Sequence, residues 1–415
     1  MTVERTPEPA PPASGAGHER DTAEHAGQAV GAETAPDAGR APRTRSAQHT
    51  GRPGADRRIP LLDAARGLAM IGVIMMNATS VVLAAESAGE EPMGTLTSLV
   101  DGGTSLLMAG KARALLMVLL GAGAVLAWHS ARNRGTRPVA VMVRRYTVLG
   151  VLFGLPHFAV FSGDILTHYA LTALVLTPLM PLLLTGSRKR PLVGAAALFA
   201  LAPGVEYLVD LGAWSVQVGP LPQTLGFFCA GVWLARRPEL DPRSEDVPTR
   251  LPGAFVWIGL AAQVLGSAVL LLDGLLHPMQ FDADGTPVLP AGSQMLVSFS
   301  GTLSGLGGAL FFLGLAWWLL RRDRGAARVL TGLAPLGRVT LTVYLASTAV
   351  FLLTMGAFET RIPMLGQYGI AIAFLAAALL FAHLWERAFR TGPLEWVWRS
   401  LIHMRPLPLR RVHRT

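Results

Sequence analysis

The chain has 415 residues, of which 51% are hydrophobic and only 15% are charged, and its mean hydropathy is +0.42. Because soluble domains carry about a quarter of charged residues, this composition excludes an ordinary soluble enzyme and indicates an integral membrane protein. The net charge is +9, but the basic residues stand in short clusters between apolar runs, which predicts membrane-topology signals and no nucleic-acid partner.

The first 58 residues are rich in Ala, Pro, Gly and charged residues and lack the apolar core of a signal peptide. We predict a disordered cytoplasmic tail over residues 1–58. From Ile59 onward, apolar stretches of roughly 18–25 residues recur, the length at which an α-helix crosses a hydrocarbon core of about 30 Å. The predicted fold is an all-α polytopic membrane bundle of about ten transmembrane helices within residues 59–390. The predicted spans are 59–84, 104–128, 141–161, 164–185, 191–210, 222–235, 253–273, 294–320, 333–356 and 366–388.

The placement of arginine predicts the orientation of these helices, because short cytoplasmic loops are enriched in Lys and Arg. Basic clusters precede the first span, separate the second from the third, and follow the fourth, sixth, eighth and tenth spans. Both termini are therefore predicted to be cytoplasmic, with residues 391–415 as a basic cytoplasmic or interfacial tail. The protein is expected to be a multi-pass protein of the bacterial cell membrane, with the lipid bilayer as its first partner.

The first span contains three polar residues that share one helical face. Asp63 and Arg66 are three residues apart and can pair, and Asn77 lies eleven residues after Arg66, about 16 Å along the helix. Such groups are costly in a membrane and mark functional sites, so Asp63 and Arg66 are candidate substrate-binding residues. The alternative is an interfacial ion pair, with Asn77 in a helix–helix hydrogen bond.

A second polar group surrounds the turn between the third and fourth spans. His157 lies before this turn, and Asp164 and His168 follow it. A His ring oriented by a carboxylate is the ordinary means of deprotonating a hydroxyl or an amine. We therefore predict that His157 and Asp164 are catalytic and within side-chain reach of one another, with His168 in the substrate site. The alternative is that these residues cap helix ends at the outer interface.

Two further cations are candidate substrate-binding residues. Lys111, at the outer part of the second span, either contacts Asp164, holds an anionic acceptor, or extends to the interface. Arg338, which begins the ninth span, either joins Arg66 in binding phosphates or serves as a positive-inside anchor. No P-loop, GxGxxG, GxSxG or HExxH motif is present, and a single cysteine, Cys229, cannot form a multi-cysteine metal site, so no metal is predicted.

Several of these residues stand in segments that resemble the YeiB family, also called domain of unknown function 418. The segments are Leu62–Asn77 with its Asp, Arg-Gly and Asn; His157 with the turn over 162–166; Gly337-Arg338; and Gly392–Trp396, the last two in a signature region over about 220–400. The first-span pattern is also similar to transmembrane acyltransferases of the acyltransferase-3 and heparan glucosaminide N-acetyltransferase groups.

This resemblance implies transfer of an acyl group from cytoplasmic acyl-CoA, as the donor substrate, to an extracytoplasmic or membrane-embedded acceptor such as a small molecule or an envelope glycan. Asn77 takes the position where the acyltransferase-3 group has a His base. An amide accepts no proton at neutral pH, so Asn77 is expected to orient a reacting group and His157 to serve as the base. A transporter or exporter, and a non-catalytic protein on an acyltransferase scaffold, are the alternatives; the sequence has no recognisable inverted repeat that would favour transport.

Reporter fusions test the predicted orientation. Fusions after residues 58, 136, 188, 243, 326 and 405 should report the cytoplasm, and fusions near 92, 214, 284 and 362 the outside, because the arginine clusters alternate between loops. The measurement is the activity of reporters specific to each side of the membrane. A cytoplasmic signal at 284 would contradict the arrangement of the second half.

Overall fold

The computed structural model describes residues 59–83, 94–209, 214–240, 249–278, 280–281, 287–288, 290–322, 324–357 and 362–411. The tail predicted over residues 1–58 lies outside the described residues. Across the described ranges the chain is a bundle of apolar α-helices, which confirms the predicted all-α polytopic membrane fold.

Fifteen α-helices and one two-residue strand pair make up the described part of the chain. The helices are α1 Pro60–Leu83, α2 Thr95–Met108, α3 Lys111–Asn133, α4 Pro138–Val148, α5 Leu155–Val160, α6 Leu166–Leu184, α7 Arg190–Leu208, α8 Ser215–Val218, α9 Leu221–Ala235, α10 Leu251–Leu276, α11 Ala291–Arg322, α12 Arg324–Arg338, α13 Thr340–Ala357, α14 Met364–Ala388 and α15 Pro393–His403. Strands β1 Gln280–Phe281 and β2 Pro287–Val288 pair antiparallel between α10 and α11. A π-helical segment, Leu149–Gly154, joins α4 to α5, and a short 3₁₀ helix, Pro238–Leu240, follows α9.

Each of the ten predicted spans coincides with helix, but not all of them form a regular crossing. In the described ranges, eight segments are long and apolar enough to span a membrane, and the bent pair α12–α13 makes nine. The sixth predicted span is α9, whose 15 residues extend only about 22 Å, less than a hydrocarbon core of about 30 Å. The second predicted span begins earlier than expected, since α2 leads into α3 through Ala109-Gly110.

The ninth predicted span, 333–356, is two helices that meet at an angle of 76°. The new start at α13 is stabilised by Glu395 of α15, whose carboxylate accepts hydrogen bonds from the backbone amides of Leu341 and Thr342 at 2.7 and 3.1 Å. The Thr342 hydroxyl donates to the same carboxylate at 2.6 Å. Because the first amides of a helix have no partner within it, a carboxylate at this position compensates for the break.

Helices α1 and α12 approach one another through two glycines. A Cβ atom added to Gly67 would collide with the backbone carbonyl of Leu333, and one added to Gly337 would collide with the carbonyl of Asp63. Small residues allow such close backbone contact in membrane bundles, where apolar side chains gain little from burial. The glycine that follows Arg66 is therefore explained by helix packing.

Glycines also bring the backbones of other helix pairs into contact. Gly121 and Gly231 place the backbones of α3 and α9 in contact, and Gly259 and Gly307 do so for α10 and α11. The bundle is consequently held by close backbone contact along these pairs, which fixes the register of the helices that carry the polar residues.

Replacement of Gly337 by alanine should destabilise the bundle, because the added methyl group meets the α1 backbone, which cannot move aside as a flexible side chain would. The expected loss is about 1–3 kcal/mol, the usual cost of overpacking. Thermal unfolding of the detergent-solubilised protein measures it. Gly332→Ala is the matched control on the same helix, since its Cβ meets nothing within 4 Å; equal losses in both variants would contradict the packing argument.

Candidate functional site

His157 lies in the short helix α5, just after a turn that is wider than in a regular α-helix. Pro156 has no amide hydrogen to donate to the preceding turn, and the six residues before α5, Leu149–Gly154, widen into a π-helix. Within this segment Gly154 packs directly on Thr167 of α6, leaving no room for a side chain. The wide turn and the glycine contact therefore position His157 beside the start of α6.

The imidazole of His157 bridges two helices and is only 5% exposed. Its Nδ1 lies 2.7 Å from Oδ1 of Asp164, and its Nε2 lies 3.0 Å from the hydroxyl of Thr348 on α13. Because a carboxylate only accepts, Nδ1 carries a hydrogen, which leaves Nε2 to accept from the Thr348 hydroxyl whenever the ring carries a single hydrogen. The predicted contact between His157 and Asp164 is thus present, and it extends to a third residue.

The Asp164 carboxylate also caps the start of helix α6. Its Oδ1 accepts from the amide of Leu166 at 3.0 Å and its Oδ2 from the amide of Thr167 at 2.8 Å. The two interpretations weighed for this residue, an orienting carboxylate and a helix cap, both describe the structure. Three hydrogen bonds to one buried carboxylate hold the ring and the helix start together.

Tyr344 completes the wall of this site and connects it to α1. Its ring centroid lies 5.0 Å from that of His157, and its hydroxyl accepts a hydrogen bond from the amide of Ile165 at 3.2 Å. The side chain of Asn77 lies next to this hydroxyl. The Asn77 amide nitrogen is buried at this point, with the Tyr344 hydroxyl beside it.

His168 is buried on the other side of α6 and does not face His157. Its Nδ1 donates to the backbone carbonyl of Gln217 at 2.8 Å, and its Nε2 accepts from the Thr224 hydroxyl at 2.5 Å. The amide of Gln217 in turn donates to the carbonyl of Asp164 at 3.1 Å. His168 therefore ties α8 and α9 to the turn that carries Asp164, and both of its ring nitrogens are used.

Lys111 does not contact Asp164 and does not extend to the interface. It is 7% exposed and packs its side chain against Gly308 of α11, with the carbonyl oxygen of the Gln263 side chain near the same glycine. That oxygen is buried without a hydrogen-bond partner in the described part of the chain. The expectation of an interfacial lysine is wrong because α10 and α11 cover this face of α3.

At the opposite, arginine-rich end, Arg338 is held between two carboxylates. Its Nε donates to Oδ2 of Asp63 at 3.1 Å, and its NH1 pairs with Glu386, which also receives Arg411 at 2.8 Å. Arg66 lies 3.6 Å from the other Asp63 oxygen. Arg338 thus links the end of α12 to α1 and α14, an arrangement suited to fixing helices more than to receiving a ligand.

Arg66 also belongs to a cluster of like charges, formed with Arg145 of α4 and Arg399 of α15, which are close enough to repel one another. Arg145 stacks on the ring of Trp398, with its guanidinium carbon 4.1 Å from the ring centroid, and the indole donates to the Arg145 carbonyl at 2.9 Å. The Nε of Arg145 is buried without a hydrogen-bond partner in the described ranges. Arg66, Arg145 and Arg399 thus bring like charges together at this end of the bundle, and such a group favours an anion.

Sequence reasoning missed Thr348, Tyr344, Arg145 and Glu395. Thr348 and Tyr344 stand in an apolar helix and come to His157 from almost 200 residues away. Arg145 was assigned to a topology signal, and Glu395 to a resemblance segment without a role. The stretch from Gly392 to Arg399, with one acid and two tryptophans among bases, was the available signal that the tail contacts the bundle.

Comparison with known proteins identifies the family. Residues 254–405 match the family described as "Protein of unknown function (DUF418)". The chain is 26% identical over 394 residues to the uncharacterized protein YxaH of Bacillus subtilis strain 168, covering 85% of this chain and 96% of that protein. It is 32% identical over 111 residues to the uncharacterized protein YeiB of Escherichia coli K12, covering 26% of this chain and 27% of that protein. The chain thus contains a region similar to the DUF418 family over residues 254–405.

A further relative extends over most of the chain. An uncharacterized 39.9 kDa protein from the amylase 3' region of Bacillus acidopullulyticus is 26% identical over 361 residues, again covering 85% of this chain and 96% of that protein. The resemblance to the YeiB family is confirmed. The DUF418 match contains α13 and α15, and therefore Thr348 and Glu395, whereas His157 and Asp164 precede it.

The contact between Glu395 and the start of α13 should contribute to stability in a pH-dependent way. Burial raises the pKa of this carboxyl above its ordinary value of 4.5, against the opposing effect of the hydrogen bonds from Thr342 and Leu341. The folded protein therefore holds this proton more tightly than the unfolded chain does, so its contribution is largest below pH 4.5 and is lost as the pH rises through the raised pKa.

We expect the melting temperature of the wild type, relative to that of Glu395→Gln, to fall as the pH rises above 4.5. Glutamine keeps an acceptor for the α13 amides but does not titrate. Thermal unfolding of both solubilised proteins from pH 4.5 to pH 7.5 measures the difference, and His403, whose pKa is lowered by burial and nearby arginines, cancels because both proteins contain it. A constant or rising difference would contradict the assignment.

Proposed function

We propose that this protein is a membrane acyltransferase that moves an acyl group from cytoplasmic acyl-CoA to an extracytoplasmic or membrane-embedded acceptor. The observation that carries the proposal is the pair of sites joined by α1. Arg66 stands in the cationic cluster, and Asn77, eleven residues or about 16 Å along the same helix, lies beside the His157 site. Acyl-CoA likewise has phosphates at one end and a thioester at the other.

The donor's phosphates suit the cationic cluster. Guanidinium groups bind phosphate oxygens in a bidentate manner, and those of Arg66, Arg145 and Arg399 are close enough to repel one another. Arg338 was expected to share this task with Arg66. Its two carboxylate partners favour a positioning role instead, in which Arg338 holds Asp63 and the start of α13 in place.

The chemistry of transfer suits the His157 site. An acyl acceptor must lose a proton, and a neutral imidazole oriented by Asp164 through Nδ1 can take it at Nε2. Attack on the thioester produces an oxyanion, which needs a hydrogen-bond donor that is already in place. The buried amide nitrogen of Asn77, beside the Tyr344 hydroxyl, is such a donor. Asn77 thereby has a role that does not require it to act as a base.

The remaining candidates support this site in the proposal without touching the thioester. His168 fixes the turn at Asp164 through Gln217, and both its nitrogens are engaged. Lys111 is buried against Gly308 of α11, so in the proposal it supports the bundle beside the site and does not bind the acceptor.

His157→Gln should reduce acyl transfer at least a hundredfold, the usual contribution of a general base, because glutamine keeps hydrogen bonds but accepts no proton. The assay incubates purified protein with labelled acetyl-CoA and a cell-envelope extract and measures release of CoA. His383→Gln is the matched control, since His383 is exposed and its Nδ1 contacts only the carbonyl of Leu379 among the described residues.

The same assay separates acyl transfer from transport. A buried His–carboxylate pair also suits a proton-coupled transporter, which would move a substrate into vesicles without releasing CoA. CoA release that depends on both the extract and His157 supports the enzyme. Unchanged CoA release in His157→Gln would remove this residue from the mechanism, and no release by the wild-type protein would remove the acyltransferase.

A further inference from the structure

We propose that Thr348 is the nucleophile of this site and that the acyl group passes through an ester on its hydroxyl. This inference rests on the proposed acyltransferase function and deepens it, because it assigns a two-step reaction with a covalent intermediate. Thr348 and His157 are 191 residues apart in sequence and meet between α13 and α5.

The side chains of Thr348, His157 and Asp164 form a chain of contacts of the kind that activates a hydroxyl as a nucleophile. The Thr348 hydroxyl lies 3.0 Å from Nε2 of His157, and Nδ1 of the same ring lies 2.7 Å from Asp164. A hydroxyl, an imidazole and a carboxylate in this order, each within hydrogen-bond distance of the next, constitute the arrangement by which hydrolases and transferases activate Ser or Thr. Asp164 holds the tautomer and stabilises the imidazolium that forms.

In the resting site, this geometry gives His157 the Thr348 hydroxyl to deprotonate before any acceptor. Both ring nitrogens are occupied, Nδ1 by Asp164 and Nε2 by Thr348, and Thr348 is only 1% exposed. An acceptor hydroxyl would have to displace Thr348 before it could reach the ring. The proton that His157 is placed to remove is therefore that of Thr348 itself.

Neighbouring hydroxyls on α13 behave differently. Ser347 donates to the carbonyl of Tyr344 at 2.7 Å, and Thr354 donates to the carbonyl of Phe351 at 2.8 Å. Donation to a carbonyl of the preceding turn is the ordinary state of Ser and Thr in an apolar helix. Thr348 departs from it by directing its hydroxyl across to another helix.

A second Thr–His contact in the same bundle provides an internal comparison. Thr224 contacts Nε2 of His168 at 2.5 Å, but Nδ1 of that ring faces a backbone carbonyl. A neutral carbonyl stabilises an imidazolium less than a carboxylate does. Between these two pairs, only the one with Thr348 has the charge needed to support proton transfer.

The first step forms a bond between Oγ of Thr348 and the thioester carbonyl carbon while the hydroxyl proton moves to Nε2 of His157. The tetrahedral intermediate then collapses, the carbon–sulfur bond breaks, and the leaving thiolate takes the proton from Nε2 as free CoA. In the second step, the acceptor hydroxyl or amine gives its proton to Nε2 and attacks the ester carbonyl. The ester bond breaks, and the Thr348 oxygen recovers the proton.

The test incubates purified full-length protein with labelled acetyl-CoA in the absence of an acceptor. We expect acid quenching and peptide mapping to find close to one acetyl group per chain, on Thr348, as in other acyl-enzymes. A parallel reaction should show exchange of labelled free CoA into acetyl-CoA, since the first step is reversible without an acceptor. Thr348→Ser should retain both signals.

Thr348→Val keeps the shape of the side chain without its hydroxyl and should lose labelling and exchange at least tenfold, as should His157→Gln. Thr354→Val is the matched control on α13 and should retain both. Thermal unfolding of each variant shows that loss of signal is not loss of fold.

The assays distinguish failure of the proposed nucleophile, Thr348, from failure of the proposed acyltransferase function. Acceptor-dependent CoA release by the wild type, with neither a Thr348 ester nor CoA exchange, would overturn the nucleophile and leave the acyltransferase standing. Acceptor-dependent release that persists in Thr348→Val would do the same. Absence of CoA release with acetyl-CoA and extract would remove the proposed function and this inference with it.

Discussion

A polar group inside an apolar bundle has no water to satisfy it, so it must find its partner in the protein. That requirement accounts for most of the long-range contacts of this structure. Asp63 of α1 forms an ion pair with Arg338. His157 of α5 contacts the hydroxyl of Thr348. Glu395 of the C-terminal helix accepts a hydrogen bond from the first turn of α13. Apolar packing and glycine contacts then hold the helices where these pairs have placed them.

Helix α13 is the element on which both polar regions depend. Its start is fixed by Arg338 and Glu395 at the arginine-rich end, and its next turns carry Tyr344 and Thr348 into the His157 site. The bend between α12 and α13 makes this possible, because a straight continuation of α12 would direct those side chains elsewhere. The two regions therefore share one rigid element although they lie at different levels of the bundle.

The sequence predicted what is local. Apolar length located every helix that became a span, and the separation of seven positions between His157 and Asp164 was short enough for a turn to bring them together. It did not predict Thr348, because a lone Thr in an apolar helix usually bonds its own backbone. It did not predict the 76° bend either, since the acid that caps the new helix start lies more than fifty residues later.

Asp164 holds the ring of His157 and the first amides of α6 with the same two oxygens. A substitution at this position therefore removes the partner of the ring and the partner of the helix start together, and a loss-of-function allele would not separate the two effects. Small carboxylates added from solution, which sometimes restore an enzyme that has lost its acid, would have to replace a helix cap as well as an orienting group. Natural variation at this residue is accordingly constrained twice, and a drifting lineage would be expected to lose the His and the Asp as a pair.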